Sequence, residues 1–289
     1  MLFAGGGSVL ALTMESLERT KFWRVPTLDG LDLLHAAYVH HSFARHMHEE
    51  FAIGVIEKGA LGFFYRGENL VASPRSINLC NPGEVHTGHP AVREGWTYRM
   101  FYLHPDWLTN LASQAAGKSV NMPFFRAGVI FDTTLANSLY HLHRALEESN
   151  NNALEQESLF ISTMTQMVMR HTDESPPLRL IGQETQRVKK VKEYLEAYHS
   201  ENVSIEQLTR VAWLSQFHLI RVFQHEVGIP PHAYLTQVRI KRAKQLLAAG
   251  HPIAQVAVET GFVDQSHLHR QFKRILGITP GQYSRIIQS

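Results

Sequence analysis

Residues 215–234 read SQFHLIRVFQHEVGIPPHAY and residues 264–283 read DQSHLHRQFKRILGITPGQY. Laid on each other at a shift of 49, they agree at nine of twenty positions: Gln216/Gln265, His218/His267, Leu219/Leu268, Arg221/Arg270, Phe223/Phe272, Gly228/Gly277, Ile229/Ile278, Pro231/Pro280 and Tyr234/Tyr283. The shared apolar residues fall at helical spacing, and the shared Gly and Pro mark turns. Two copies of one small helical unit, so close together, imply two copies of one contact on a repetitive partner.

Each copy is two helices long. Ser204 precedes IEQL, Ser215 precedes QFHLIRVFQHE and Asp264 precedes QSHLHRQFKRIL, each a residue suited to cap a helix N-terminus. Ile205-Glu206-Gln207-Leu208 is answered by Ile253-Ala254-Gln255-Val256. The short gaps between paired runs are those of a helix-turn-helix. Between the copies, PHAYLTQVRIKRAKQLLAAG predicts one amphipathic helix with Leu235, Val238, Leu246 and Leu247 facing in, a rigid spacer. VKKVKEYLEAYH, upstream, predicts another, with Val188, Val191, Leu195 and Tyr198 on one face.

Two such units on one spacer can set their second helices into successive major grooves of DNA, about 34 Å apart. Leu219, Val222 and Phe223 form the inward stripe of the first, Leu268 and Phe272 that of the second. Gln216, Phe217, Ile220 and Arg221 are then expected outward, as are Gln265, Ser266, His269 and Arg270. Arginine clamps guanine, glutamine pairs with adenine, and Phe and Ile suit thymine methyls. Lys273 and Arg274 are placed for phosphate. His218 and His267 read as packing or capping residues. Charge agrees: from residue 178 onward 15 Lys+Arg stand against 8 Asp+Glu, giving +7, whereas 13 against 18 give −5 before it. The basic part suits a polyanion.

The grammar of residues 30–105 is different. LDLLHAAYVH, FAIGVIEKG, ALGFFYRGENLVA, SINLCNPGEVH and WTYRMFYL are short strand-like runs punctuated by Gly, Pro and Asn, which argues for a β-sandwich or barrel. His46-Met47-His48 before one strand, and Pro82-Gly83-Glu84-Val85-His86 after another, resemble the two motifs of the cupin barrel, in whose metal-binding members such histidines converge with a carboxylate. That carboxylate is missing, because Ala52 and Ile53 stand four and five residues after His48. Three imidazoles could still hold Zn²⁺. With the ligand set incomplete, the expectation is no cofactor, and a barrel that holds a small organic effector between His46, His48, Tyr65, His86, Trp96 and Tyr98.

Leu135, Leu139, Leu142 and Leu146, then Leu159, Ile161, Met164, Met167 and Val168, predict a helical hairpin over 133–171, either packed on its own chain or forming a dimer interface. TDESPPLRLIGQETQ, 172–186, reads as a linker. The single Cys80 excludes an internal disulfide, suits a reducing cytoplasm and reads as a buried, inert thiol. No apolar run reaches the roughly 18 residues of a membrane span. Residues 1–20 lack the basic start of a signal peptide and are expected to be disordered, with Met14 as initiator.

RIKRAKQLL, IAQVAVETGFVDQSHLHRQFK and the closing Gly277-Ile278-Thr279-Pro280-Gly281-Gln282-Tyr283 resemble the DNA-binding domain of the AraC/XylS family of bacterial transcription regulators over 187–286, within a domain expected at 187–289. NPGEVHTGHP and WTYRMFYLHPDWL are similar to that family's cupin-like sensor domain, here 21–132. The resemblance implies an α+β multidomain chain: a cupin-like β-barrel with a flanking helical hairpin, then an all-α domain with two helix-turn-helix units. It implies a small effector, double-stranded DNA and RNA polymerase as partners, a homodimer, and regulation rather than catalysis, with activator and repressor action both left open. A metal-dependent cupin enzyme built on His46, His48 and His86, and an effector-free DNA binder, are the rival readings.

Overall fold

The computed structural model describes residues 18–28, 30–148, 152–173 and 184–288. Residues 1–17 of the expected disordered start, Met14 included, and 174–183 of the expected linker lie outside the described residues. The chain forms two compact units: one built on Leu31–Leu103 and Ala127–Ala136, the other on Val25–Gly30, His104–Arg126 and the residues from Asn137 on. No helix among the described residues is long and apolar enough to cross a membrane.

The first unit holds β1 (Arg19–Val25), β2 (Leu31–Tyr38), β3 (Phe43–His46), β4 (Phe51–Gly59), β5 (Leu61–Tyr65), β6 (Glu68–Ala72), β7 (Ile77–Cys80), β8 (His86–Pro90), β9 (Trp96–Leu103) and β10 (Val129–Ile130). Among the described residues, these strands divide into two sheets, ordered β1-β2-β9-β4-β7-β10 and β3-β8-β5-β6. The pairs that carry registers are antiparallel, as hairpin-length connections require. Leu34, Ala36, Ala52, Ile56, Tyr98 and Met100 of the larger sheet share a buried cluster with Leu61, Phe63 and Tyr65 of the smaller.

One corner depends on glycine. Gly59 and Gly95 both have positive φ, and a Cβ on Gly59 would lie 1.9 Å from the Gly95 carbonyl oxygen, one on Gly95 equally close to that of Tyr38. Only glycine lets the ends of β2, β4 and β9 meet there. Near it, a register shift between Ile56 and Lys58 places Glu57 beside β9. Its carboxylate accepts from Arg99 Nε at 2.5 Å, and His35 Nε2 lies 3.3 Å away. Arg99, 4% exposed, thereby has a partner inside the sheet.

The second unit is helical. α1 (Pro105–Ala116) falls within the span expected for the barrel, but Leu108, Leu111, Ala112 and Ala115 repeat with helical period, Pro105 opens the helix and Gly117 closes it in the left-handed conformation. α2 (Thr133–Glu147) and α3 (Ala153–His171) are the expected hairpin. Leu135, Leu139, Leu142 and Leu146 are buried within the chain.

The C-terminal helices are α4 (Thr185–Ala197), α5 (Ile205–Ala212), α6 (Gln216–Val227), α7 (Pro231–Ala248), α8 (Ile253–Glu259), α9 (Gln265–Leu276) and α10 (Pro280–Gln288). The expected caps form. Ser204 and Gln207 make a reciprocal capping box, Ser215 accepts from His218 N, and Asp264 accepts from His267 N at 2.6 Å. α5–α6 and α8–α9 are the two helix-turn-helix units. α7, 18 residues and about 27 Å long, joins them. The turn of the first unit passes through Trp213 in the left-handed region (φ 55°), and that of the second uses Gly261 (φ 77°).

Two details of these helices differ from expectation. On α7 the inward face includes Arg239 and Ile240, whereas Val238 is only half-buried. Arg239 donates to the carbonyls of His199 (2.7 Å) and Glu201 (2.8 Å), which is what allows a guanidinium to be buried there. Tyr198 lies past the end of α4, exposed, with its ring on Tyr194.

Candidate functional site

The histidine wall is built by strand geometry. On extended backbone, residues two apart share a face, so His46 and His48 project together. β3 pairs with β8 so that His86 stands opposite His46. The turn that delivers His86 has Pro82 and then Gly83 with φ 75°, and Glu84 N donates to Asn81 O, the pattern of a type II turn. Gly83 N also donates to His48 O at 2.7 Å, tying the two segments together. One nitrogen from each ring lies within 4.8 Å of the other two. Ring centroids are 4.3 Å apart for His46–His86, 4.9 Å for His46–His48 and 5.1 Å for His48–His86. Burial, then the neighbouring imidazoles, push His48 down to about 4. Burial also lowers His86, so both rings are neutral at pH 7.

These rings form one side of a cavity of about 110 Å³ whose other walls include Tyr38, Phe43, Phe63, Tyr98, Met100 and Tyr102. A cavity of roughly 150 Å³ admits benzene, so this one suits a ligand of a few heavy atoms. Among the described residues, no Asp, Glu, Lys or Arg lines it. Asn78 lines it too, and its buried Oδ1 has no hydrogen-bond partner among the described residues. Ala52 is on the wall and Cys80 beside it, its thiol pushed up to about 12 by burial and so inert.

Four of the six expected wall residues, His46, His48, His86 and Tyr98, line the cavity; Tyr65 and Trp96 do not. The Tyr65 hydroxyl is occupied by structure: it donates to Glu84 and accepts from Asn81 N and Nδ2. Trp96 is packed against Tyr38 and Tyr98. Tyr38, Tyr102 and Asn78 are the residues that sequence reasoning missed. Their inward register is legible only after β2, β7 and β9 are paired.

The helix faces divide differently in the two repeats. On α9, Gln265, Ser266, His269, Arg270, Lys273 and Arg274 are all exposed, as expected. Arg270 and Arg274 border a hollow of about 280 Å³ that is also lined by Glu148 and Glu155. Burial raises the Glu155 carboxyl, with Arg274 the main opposing influence. On α6, Gln216 and Arg221 keep partial exposure, but Phe217 and Ile220 are 4% exposed each, which corrects their outward assignment. The cause is that α6 packs on α1 and α3 as well as on its own unit, and Phe217 N donates to Gln114 Oε1 of α1 at 3.2 Å. Apolar side chains that leave the helix-turn-helix core there find a second apolar surface. His218 and His267 are buried below their caps, in keeping with packing roles.

Residues 30–164 match the family model of the AraC-like ligand binding domain, and residues 208–286 match a helix-turn-helix domain. The chain is 32% identical over 226 residues to the uncharacterized HTH-type transcriptional regulator YbfI of Bacillus subtilis (strain 168), covering 78% of this chain and 81% of that one. It is 28% identical over 232 residues to the arabinose operon regulatory protein of Escherichia coli (strain K12), covering 75% and 74%. Among solved structures, a probable AraC family transcriptional regulator from Rhodopseudomonas palustris CGA009 aligns with 35% of this chain and 97% of its own, at 28% identity and a TM-score of 0.34.

Proposed function

Since the chain belongs to the AraC family of helix-turn-helix transcription regulators, we propose that α6 and α9 read two successive major grooves of one operator while the cavity of the β unit holds the effector that controls them. The observation that carries this reading is the duplication itself: two units with side-chain caps on their second helices, joined by one helix, with Arg221 and Arg270 at equivalent places. Gln265, Ser266, His269 and Arg270 face base edges, and Lys273 and Arg274 face phosphates. Gln216 and Arg221 do the same on α6. Phe217 and Ile220 can meet thymine methyls only when α6 leaves α1 and α3, so the DNA-reading form has α6 released from them.

The effector is small and largely apolar, and it offers a hydrogen-bond donor to Asn78. The protein works as a homodimer whose DNA-bound form contacts RNA polymerase, and it acts in the cytoplasm as a regulator rather than an enzyme. Selection of bound duplexes from a random pool tests the core of this reading. One directional consensus spanning two successive grooves is expected, and enrichment without any consensus would overturn it.

A further inference from the structure

We propose that His46, His48 and His86 bind a divalent transition-metal ion of the Zn²⁺ class at the polar wall of the cavity. The absent carboxylate argues against such a site in the sequence, but the geometry points the other way. His46 Nδ1 lies 2.8 Å from Ala44 O and His86 Nδ1 lies 3.0 Å from Glu84 O. A backbone carbonyl only accepts, so both Nδ1 atoms donate, and it is Nε2 that carries the lone pair in the neutral ring. This is the arrangement that orients imidazole ligands around a metal.

No hydrogen bond joins the three rings among the described residues, so the lone pairs are not consumed within the cluster. Two rings with centroids 4.3 Å apart, each fixed as an acceptor, are stabilised by a cation that takes both. Tetrahedral Zn²⁺ at about 2.0–2.1 Å from each nitrogen spaces them about 3.3 Å apart, and ring rotations of about 1 Å reach that spacing from 4.8 Å or less. Three neutral ligands leave the ion's charge uncompensated, and among the described residues no carboxylate lines the cavity to offset it. The fourth position is thus filled from outside, by water or by an anionic oxygen of a small molecule. That last point alone rests on the effector reading above.

The test is titration of the full chain, stripped with chelator, by Co²⁺ and then Zn²⁺. One Co²⁺ per chain is expected, with a visible d–d band that Zn²⁺ abolishes. His46→Ala and His86→Ala each weaken binding roughly 100-fold or more, while His141→Ala, on the exposed face of α2, leaves it unchanged. The chain has 18 histidines, so this control separates the cluster from scattered surface binding. Thermal melts of the metal-free variants check folding. If His86→Ala does not fold, the half-buried His48→Asn decides with the same expected loss. No band at saturating Co²⁺, or an unchanged isotherm in folded His46→Ala or His48→Asn, overturns the proposal.

Discussion

Replacing Glu57 with Gln removes one charge from the sheet and almost no volume. The hydrogen bond from His35, and then that from Arg99, hold the Glu57 carboxyl down at about 2 from an ordinary 4.5, against the opposing effect of burial. Its side chain is 18% exposed and that of Arg99 5%, so solvent screens the pair weakly. At 1.36 kcal/mol per pH unit, the fall is worth about 3 kcal/mol to the folded state. The sign follows from the direction. A carboxyl depressed on folding contributes fully above 4.5, and the contribution is lost as pH falls through 2. Glu57→Gln is therefore expected to cost about 3 kcal/mol at pH 7 and about 1.4 kcal/mol at pH 3, where the wild type has already lost much of the same interaction. Urea-dependent hydrogen exchange of peptides covering β4 and β9 reads the transition of this unit. With a slope of about 1–3 kcal/mol per molar urea, the midpoint falls by at least about 1 M at pH 7. An unchanged midpoint at pH 7, or a deficit as large at pH 3 as at pH 7, refutes the reasoning.

Other expectations are simpler to state. Arg270→Ala costs about 1–3 kcal/mol on the selected operator and relaxes preference at one base; a uniform loss across sequences with a shallower salt slope would mark a phosphate contact instead. Glu155→Gln removes an acid that shares the hollow with Arg270 and Arg274, so operator affinity in a gel-shift titration rises about fivefold or more. An equal or weaker affinity would show that this acid does not compete with DNA. Trp213→Gly replaces an 85% exposed side chain in the left-handed region by the residue the second repeat uses at its turn. The relief of backbone strain exceeds the added chain entropy, for a net gain of about 0.5–1 kcal/mol. The melting temperature of the helical unit rises by about 2–4 °C, and a fall would show that the indole has a partner.

Much of this was legible because the relevant signals are local. Capping residues act within three positions, a helical stripe within a few turns, and His46 and His48 share a face by backbone geometry alone. What was not legible depends on pairing across the chain. Tyr65 and Tyr98 both read as inward aromatics, but only the register of β5 against β8 and the turn at Asn81 show that the first is bound to Asn81 and Glu84. Phe217 and Ile220 read outward because one inward stripe already accounts for the helix-turn-helix, and periodicity carries no sign of a second cover. Arg239 is polar in any pattern, and its burial requires the carbonyls of His199 and Glu201, about forty residues away. The imidazole tautomers are likewise set by carbonyls that any residue could supply.

α7 has a consequence for the genome rather than for the protein. On the proposed reading of one operator by α6 and α9, a single unbroken helix between them neither stretches nor swivels. One base pair inserted between the two sub-sites moves one of them by about 3.4 Å and rotates it by about 34°. The spacer cannot follow, so the operator has one permitted spelling length. On the proposed reading, with Ser266 and His269 standing where the first repeat has Phe217 and Ile220, the two ends of that operator are not interchangeable. A site turned end for end would be held equally well but would point its occupant away from the gene.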